Sequence, residues 1–81
     1  MTVFIELYGR LRDAGVESPV ELELPDAATA AQALAALQGK LGKEGARVKG
    51  AALASETRVL AADERLPKGG RLAALPPVSG G

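Results

Sequence analysis

The chain has 81 residues, of which ten are basic and ten acidic, so its formal net charge is zero. A chain of this length forms one domain, and balanced charge gives no net field that would attract nucleic acid or an anionic membrane. Cysteine and histidine are absent, which excludes disulfides, thiol nucleophiles and the commonest metal ligands. Because the sequence shows neither a membrane-spanning apolar run nor a signal peptide, we expect a soluble cytoplasmic protein.

Alternating apolar residues predict two strands near the N-terminus. In the first, Thr2–Tyr8, the side chains of Val3, Ile5 and Leu7 share the face that would turn toward the core. Pro19 precedes a second alternating stretch, Val20–Leu24, whose two glutamates would face water. The connection between the strands has room for at most one helical turn, so we predict an antiparallel pair.

One stretch has the spacing of an α-helix. Thr29 and Gln32 form a capping-box pattern, in which each side chain binds the backbone N–H of the other residue. The apolar residues that follow lie on one helical face, and Gly42 can supply the backbone conformation that ends the helix. We therefore predict a helix over 29–41.

The segment Lys40–Gly50 alternates glycine with basic residues. It is not a phosphate-binding loop, because Gly42-Lys43 is followed by Glu44 rather than by serine or threonine. We interpret it as a solvated, mobile loop. A second possibility is a basic rim that meets an acidic partner or an anionic substrate.

The C-terminal half predicts short strands. Ala51–Ala54 reads as a third strand and Val59–Leu60 as a fourth, followed by a polar connection with one buried anchor, Leu66. In the last strand, Arg71–Leu75, the side chains of Leu72 and Ala74 face one way and those of Ala73 and Leu75 the other. A hairpin, a helix and then short strands make an α+β order, and the compact solution is a mixed sheet packed against one main helix.

The last six residues read Pro76-Pro77-Val78-Ser79-Gly80-Gly81. The prolines favour an extended exit from the last strand, and Gly80 and Gly81 could lie in a channel too narrow for any side chain. About four or five extended residues reach roughly 13–18 Å. We therefore assign residues 1–75 to the folded domain and 76–81 to a flexible tail that carries the α-carboxylate into a partner. An ordinary frayed terminus is the alternative.

The sequence Leu75-Pro76-Pro77-Val78-Ser79-Gly80-Gly81 is similar to the end of the small subunit of molybdopterin synthase. These MoaD-like, ubiquitin-related sulfur carriers usually end aromatic-Pro-Pro-Val-Ser/Thr-Gly-Gly, and the chain length fits them from end to end. The resemblance implies a ubiquitin-like β-grasp fold whose last strand lies centrally and parallel to the first. This chain departs from the family at Leu75, which replaces the aromatic residue, and at Ala54-Ser55 and Gly69-Gly70.

The side chains offer no constellation for general-base catalysis, so we expect a non-catalytic subunit whose reactive group is the carboxylate of Gly81. The resemblance implies that an adenylating E1-like sulfurtransferase activates this group with ATP and that sulfur attack yields a thiocarboxylate. The large subunit of molybdopterin synthase would then receive the tail, and Gly81 would donate sulfur to a cyclic pyranopterin precursor. Gly80, Ser79, Pro77 and Pro76 would guide the tail, and this chain would itself bind no cofactor or metal.

Docking requires a surface as well as a tail. We predict that Tyr8, Val59 and Leu75 lie together on the sheet face opposite the helix and form the partner interface. The alternative is that they are single exposed apolar residues, which are normal on any protein surface.

Two other functions fit the same tail. A sulfur carrier for another product, such as the thiazole of thiamin, would also end in Gly-Gly, although Pro-Pro-Val-Ser argues against it. A ubiquitin-like modifier would instead be joined through Gly81 to lysines of other proteins.

Overall fold

The computed structural model describes residues 1–15, 17–67 and 69–76. Within these ranges, four strands form one mixed sheet in the order β2-β1-β4-β3. The strands are β1 (Thr2–Leu7), β2 (Val20–Glu23), β3 (Ala52–Ala54) and β4 (Arg71–Leu75), and the one α-helix is α1 (Ala30–Leu41). The element order therefore confirms the α+β prediction.

The two longest strands, β1 and β4, lie side by side at the centre of the sheet. They run parallel, with Ile5 opposite Leu72 and Leu7 opposite Ala74. The strands β2 and β3 flank them, each antiparallel to its neighbour. A central last strand parallel to the first, with one main helix, is the β-grasp arrangement that the resemblance implied.

The core lies between α1 and one face of the sheet. Because strand residues alternate, Val3, Ile5 and Leu7 all point to this face, and each is at most 1% exposed. Ala33 and Leu37 of α1 are fully buried in the same cluster. Burying one such large apolar side chain stabilises the fold by about 1.5–3 kcal/mol, so the alternation in β1 and the helical spacing of α1 fix which faces meet.

The predicted capping box is present at the start of α1. The backbone N–H of Thr29 donates to Gln32 Oε1 at 2.8 Å, and the N–H of Gln32 donates to Thr29 Oγ1 at 3.3 Å. The helix ends at Gly42, whose φ of +59° favours glycine. The helical prediction over 29–41 is therefore confirmed to within one residue.

The connection between β1 and β2 is more regular than expected. A 3-10 helix spans Gly9–Ala14, whereas the sequence predicted at most one helical turn. It ends at Gly15, which adopts the left-handed conformation with φ +79°. The N–H of Leu7 is bound by Ser18 Oγ at 2.9 Å, so a side chain supplies an acceptor for the last residue of β1.

The prediction of a solvated, mobile loop over residues 40–50 is wrong. A second 3-10 helix spans Gly42–Val48, and Val48 is only 3% exposed. Gly45 is buried against the end of α1, where a Cβ atom would lie 2.5 Å from the carbonyl oxygen of Gln38. The missing side chain at Gly45 therefore allows this segment to pack on the helix.

We expect Gly45→Ala to lower the free energy of unfolding by about 1–3 kcal/mol, because the added methyl group overpacks a backbone carbonyl that cannot rotate away. Gly39→Ala is the matched control, since Gly39 lies inside α1 and a Cβ there meets nothing within 4 Å. That variant should gain about 0.5–1 kcal/mol from helix propensity. Urea denaturation of both variants tests the pair, and equal shifts would contradict the packing of Gly45.

The prediction of a fourth strand at Val59–Leu60 is also wrong. Val59 forms only an isolated antiparallel bridge with Ala54, and the N–H of Leu60 donates to the carbonyl of Leu53 at 2.8 Å. The intervening turn is closed by Ser55, whose hydroxyl oxygen accepts from the N–H of Arg58 at 3.3 Å. The departure from the family pattern at Ala54-Ser55 thus leaves a turn that its own serine stabilises.

Candidate functional site

The sheet face opposite α1 is not covered by any described element. The side chains on it include two large exposed aromatics, Phe4 at 40% and Tyr8 at 46%, and Val59 at 56%. Phe4 lies on β1 between the buried residues Val3 and Ile5, so it points to the opposite face, and Tyr8 directly follows the strand. We call this surface the open face.

The strand register sets the distances between residues on the open face. One residue beyond the Leu7–Ala74 pair, Tyr8 comes level with Leu75, and its N–H donates to the carbonyl of Ala74 at 3.2 Å. Leu75 in turn lies opposite Ala52 on β3. The structure therefore brings Tyr8 and Leu75 into one row across the sheet, with Leu75 half-buried.

Val59 shares the open face but occupies the next row. It lies opposite Ala54, which is opposite Ala73, which is opposite Glu6. The small side chains of the two alanines leave a low surface between Val59 and β1. The three predicted interface residues thus share one face, but only two of them are level with each other; their role in binding a partner stays a prediction.

An ion pair holds the loop that presents Val59. Arg58 donates from both terminal nitrogens to the carboxylate of Glu64, with Nη1 at 2.8 Å from Oε1. The same carboxylate oxygen accepts from the N–H of Ala61 at 3.1 Å. A bidentate arginine–carboxylate pair fixes geometry better than a single contact. Val59 lies between Arg58 and Ala61, which both bind Glu64, so its position in the loop is fixed.

Charged groups lie beside this apolar surface. A shallow depression of about 310 Å³ lies between Tyr8, β4 and the turn after β3, and its lining includes Glu6, Glu56 and Arg71. The sequence interpretation left both Phe4 and Arg71 out of the interface. Alternation along β1 places Phe4 on the same face as Tyr8 and could have identified the first, and alternation along β4 places Arg71 on the same face as Leu75 and could have identified the second.

The tail begins where β4 ends. Pro76 is half-buried and lies against Gly9, where a Cβ atom would come within 2.9 Å of the proline Cγ. The other predicted tail and catalytic residues, Pro77, Ser79, Gly80 and Gly81, lie outside the described residues. The boundary between domain and tail after residue 75 therefore stays a prediction.

Two further observations concern the described part of the chain only. No cluster of three or more acidic, histidine or cysteine side chains there could hold a metal ion. None of its helices is long and apolar enough to cross a membrane.

The model of the ThiS family matches residues 5–81, which is nearly the whole chain and includes the Gly-Gly tail. The chain belongs to the ThiS family. Members of the ThiS family are ubiquitin-like carrier proteins that are generally not catalysts themselves, so the recognition of a MoaD-like sulfur carrier from the tail motif is confirmed at the level of the family.

Solved structures agree on the fold of this ThiS family chain. SAMP1 from Haloferax volcanii is 28% identical, with a TM-score of 0.78 over 100% of both chains. A second structure of that small archaeal modifier protein 1 is 26% identical, with a TM-score of 0.76 over 95% of this chain and 98% of the other. A Pyrococcus furiosus protein described as molybdopterin converting factor, subunit 1, is 24% identical, with a TM-score of 0.75 over 95% and 98%. The ubiquitin-like β-grasp is thereby confirmed. No curated protein matches the sequence.

Proposed function

We propose that this chain is the sulfur-carrying small subunit of a molybdopterin synthase. The observation that carries the proposal is a family match that continues through Gly81, together with the run Pro-Pro-Val-Ser-Gly-Gly directly after β4. The similarity in fold to a protein described as a molybdopterin converting factor subunit supports it. The proposal takes Gly81 as the residue that bears the α-carboxylate.

The chemistry follows from that carboxylate. A carboxylate is a poor acyl donor, so an E1-like partner would join it to the α-phosphate of ATP and release pyrophosphate. A sulfur nucleophile at the oxidation level of sulfide would then attack the carbonyl carbon and expel AMP, which leaves a thiocarboxylate on Gly81. The ATP belongs to the activating partner, and no side chain of this chain takes part in either bond change.

The open face is the surface that would dock on the two partners. Tyr8, Leu75 and Val59 supply exposed apolar area, and Glu6, Glu56 and Arg71 lie beside it. An apolar centre beside charged groups is the usual composition of a protein interface. The large subunit of molybdopterin synthase would bind here while the tail enters its active site, and in the cytoplasm the E1-like enzyme would use the same surface earlier.

A second candidate is a ubiquitin-like protein modifier. The similarity to SAMP1, a small archaeal modifier protein, favours it, and the same adenylated Gly81 would then form an isopeptide bond with a lysine. The ThiS family match also leaves room for a carrier that serves thiamin thiazole synthesis. These functions differ in the acceptor of the activated tail rather than in its activation.

We expect part of the protein that is co-expressed with its adenylating enzyme to carry a thiocarboxylate. Intact-mass spectrometry should show one oxygen replaced by sulfur, and fragmentation should localise the change to Gly81. A chain that always ends in a plain carboxylate under these conditions would rule out the carrier function.

The acceptor is identified by two further assays on the same preparation. Conversion of the cyclic pyranopterin precursor in the presence of the large subunit supports molybdopterin synthesis. Bands of higher mass that survive reducing denaturation would instead support the modifier.

A further inference from the structure

We propose that Gly9 is a positioning residue for the C-terminal tail: it forms a side-chain-free seat on which the ring of Pro76 rests, and this seat sets the direction in which the tail leaves the sheet. The inference rests on the proposed function only in what the tail does. The seat itself follows from the contacts of the described residues.

The hydrogen-bond ladder between β1 and β4 ends at Pro76. The N–H of Tyr8 donates to the carbonyl of Ala74 at 3.2 Å, and in a parallel ladder the next bond would run from residue 76 to the carbonyl of Tyr8. Proline has no N–H to donate, and that carbonyl already accepts from Leu11 at 3.1 Å. Backbone pairing therefore stops at Pro76 for want of a donor, and the Tyr8 carbonyl has its partner in Leu11 instead.

Packing takes over where the ladder stops. A Cβ atom on Gly9 would lie 2.9 Å from Cγ and 3.5 Å from Cδ of Pro76, which is closer than the ring could tolerate at Cγ. Gly9 also has a φ of +58°, so glycine is favoured there for its backbone as well. The ring therefore occupies the volume that any other residue at position 9 would fill.

The seat matters because the tail is short. Any side chain at position 9 must push the proline ring outward, which changes the direction in which the chain leaves β4 at Pro76. Since a misplacement of about 1 Å at a reacting group can cost roughly a hundredfold in rate, we expect a change of direction at Pro76 to lower the rate of reaction at Gly81. The core and the open face need not change, because Pro76 follows the last residue of β4.

Gly9→Ala is the test, and Gly15→Ala is its matched control. Gly15 ends the same 3-10 helix with φ +79°, but a Cβ atom there meets nothing within 4 Å. Both variants introduce backbone strain, and only the first disturbs Pro76. The double variant Gly9→Ala/Pro76→Ala, compared with Pro76→Ala alone, removes the Cγ and Cδ atoms that cause the clash.

Two readouts separate the seat from the proposed function. Nuclear Overhauser contacts between the Gly9 α-protons and the Pro76 ring should be present in the unaltered chain, in the absence of any partner. Adenylation of the tail by the E1-like enzyme should then show a kcat that falls between about tenfold and a hundredfold in Gly9→Ala, with KM little changed. In the Pro76→Ala background, adding Gly9→Ala should have much less effect.

Each outcome decides a different point. If the unaltered chain is not adenylated, the proposed function fails, while the nuclear Overhauser contacts still test the seat. If those contacts are missing, or if Gly9→Ala and Gly15→Ala have the same kcat, the seat is overturned. If adding Gly9→Ala to the Pro76→Ala variant lowers kcat as much as it does in the unaltered chain, the effect comes from backbone strain and not from the proline ring. That result also overturns the seat.

Discussion

A chain with one alanine added after Gly81, or with valine in place of Gly81, is expected to lose sulfur transfer at least about a hundredfold while its stability stays unchanged. An extra residue displaces the reactive carbonyl by up to about 3.6 Å, far more than the roughly 1 Å that already costs a hundredfold. A branched side chain at the last position would clash with a channel of glycine width.

Stability should be spared because the core ends before the tail begins. The buried apolar residues of the described chain extend no further than Ala74, so changes beyond Pro77 remove no described core contact and should alter stability by less than about 0.5 kcal/mol. The assay is conversion of the pyranopterin precursor by the complex, run beside calorimetric binding of the two subunits. Gly81→Ala provides a graded comparison, since its smaller side chain should cost less than valine. Normal turnover by the extended chain would show that the terminal carboxylate is not the reactive group.

The second large effect is expected at the open face, where Leu75→Glu should weaken binding of the large subunit at least about tenfold without unfolding the domain. Leu75 lies in the row of Tyr8 and Ala52, on the face away from the core. Burying an unpaired polar group in an interface costs about 1–3 kcal/mol, and more for a charge. In the free protein the new carboxylate remains in contact with water.

Ala35→Glu is the control for net charge. Ala35 is exposed on α1, on the other side of the sheet, so the variant adds the same charge away from the open face. Thermal melting and calorimetric affinity should be measured on the same samples. Equal losses of affinity in the two variants would assign the effect to net charge and contradict the interface.

Elements with a local signal were predictable. Alternation places Val3, Ile5 and Leu7 on one strand face, which is the face that is buried. The capping box forms between Thr29 and Gln32, which are only three residues apart. In both cases the stabilising interactions join residues that are close in sequence or that recur at a fixed spacing. Sequence patterns therefore predict these elements without knowledge of the fold.

Elements selected by contacts that follow no regular helix or strand period were not predictable. The segment after α1 forms a 3-10 helix because Gly45 fits under the carbonyl of Gln38, and its glycine and lysine content suggested a loop instead. The pair Val59–Leu60 has strand-forming side chains, but it forms one bridge, with Ala54, and the N–H of the next residue, Ala61, donates to the Glu64 carboxylate instead of to β3. Tertiary packing overrode composition in both places.

For the site, the sequence by itself determined which group is the candidate for the chemistry. Without cysteine or histidine, the Pro-Pro-Val-Ser-Gly-Gly run left the carboxylate of Gly81 as the candidate reactive group. Only the tertiary structure decided what surrounds the root of that tail. The parallel pairing of β1 with β4 joins residues 67 positions apart, such as Phe4 and Arg71, and it alone brings Tyr8 level with Leu75 and Gly9 beneath Pro76. No local propensity encodes that pairing, because its register depends on the shared burial of two strands against one helix.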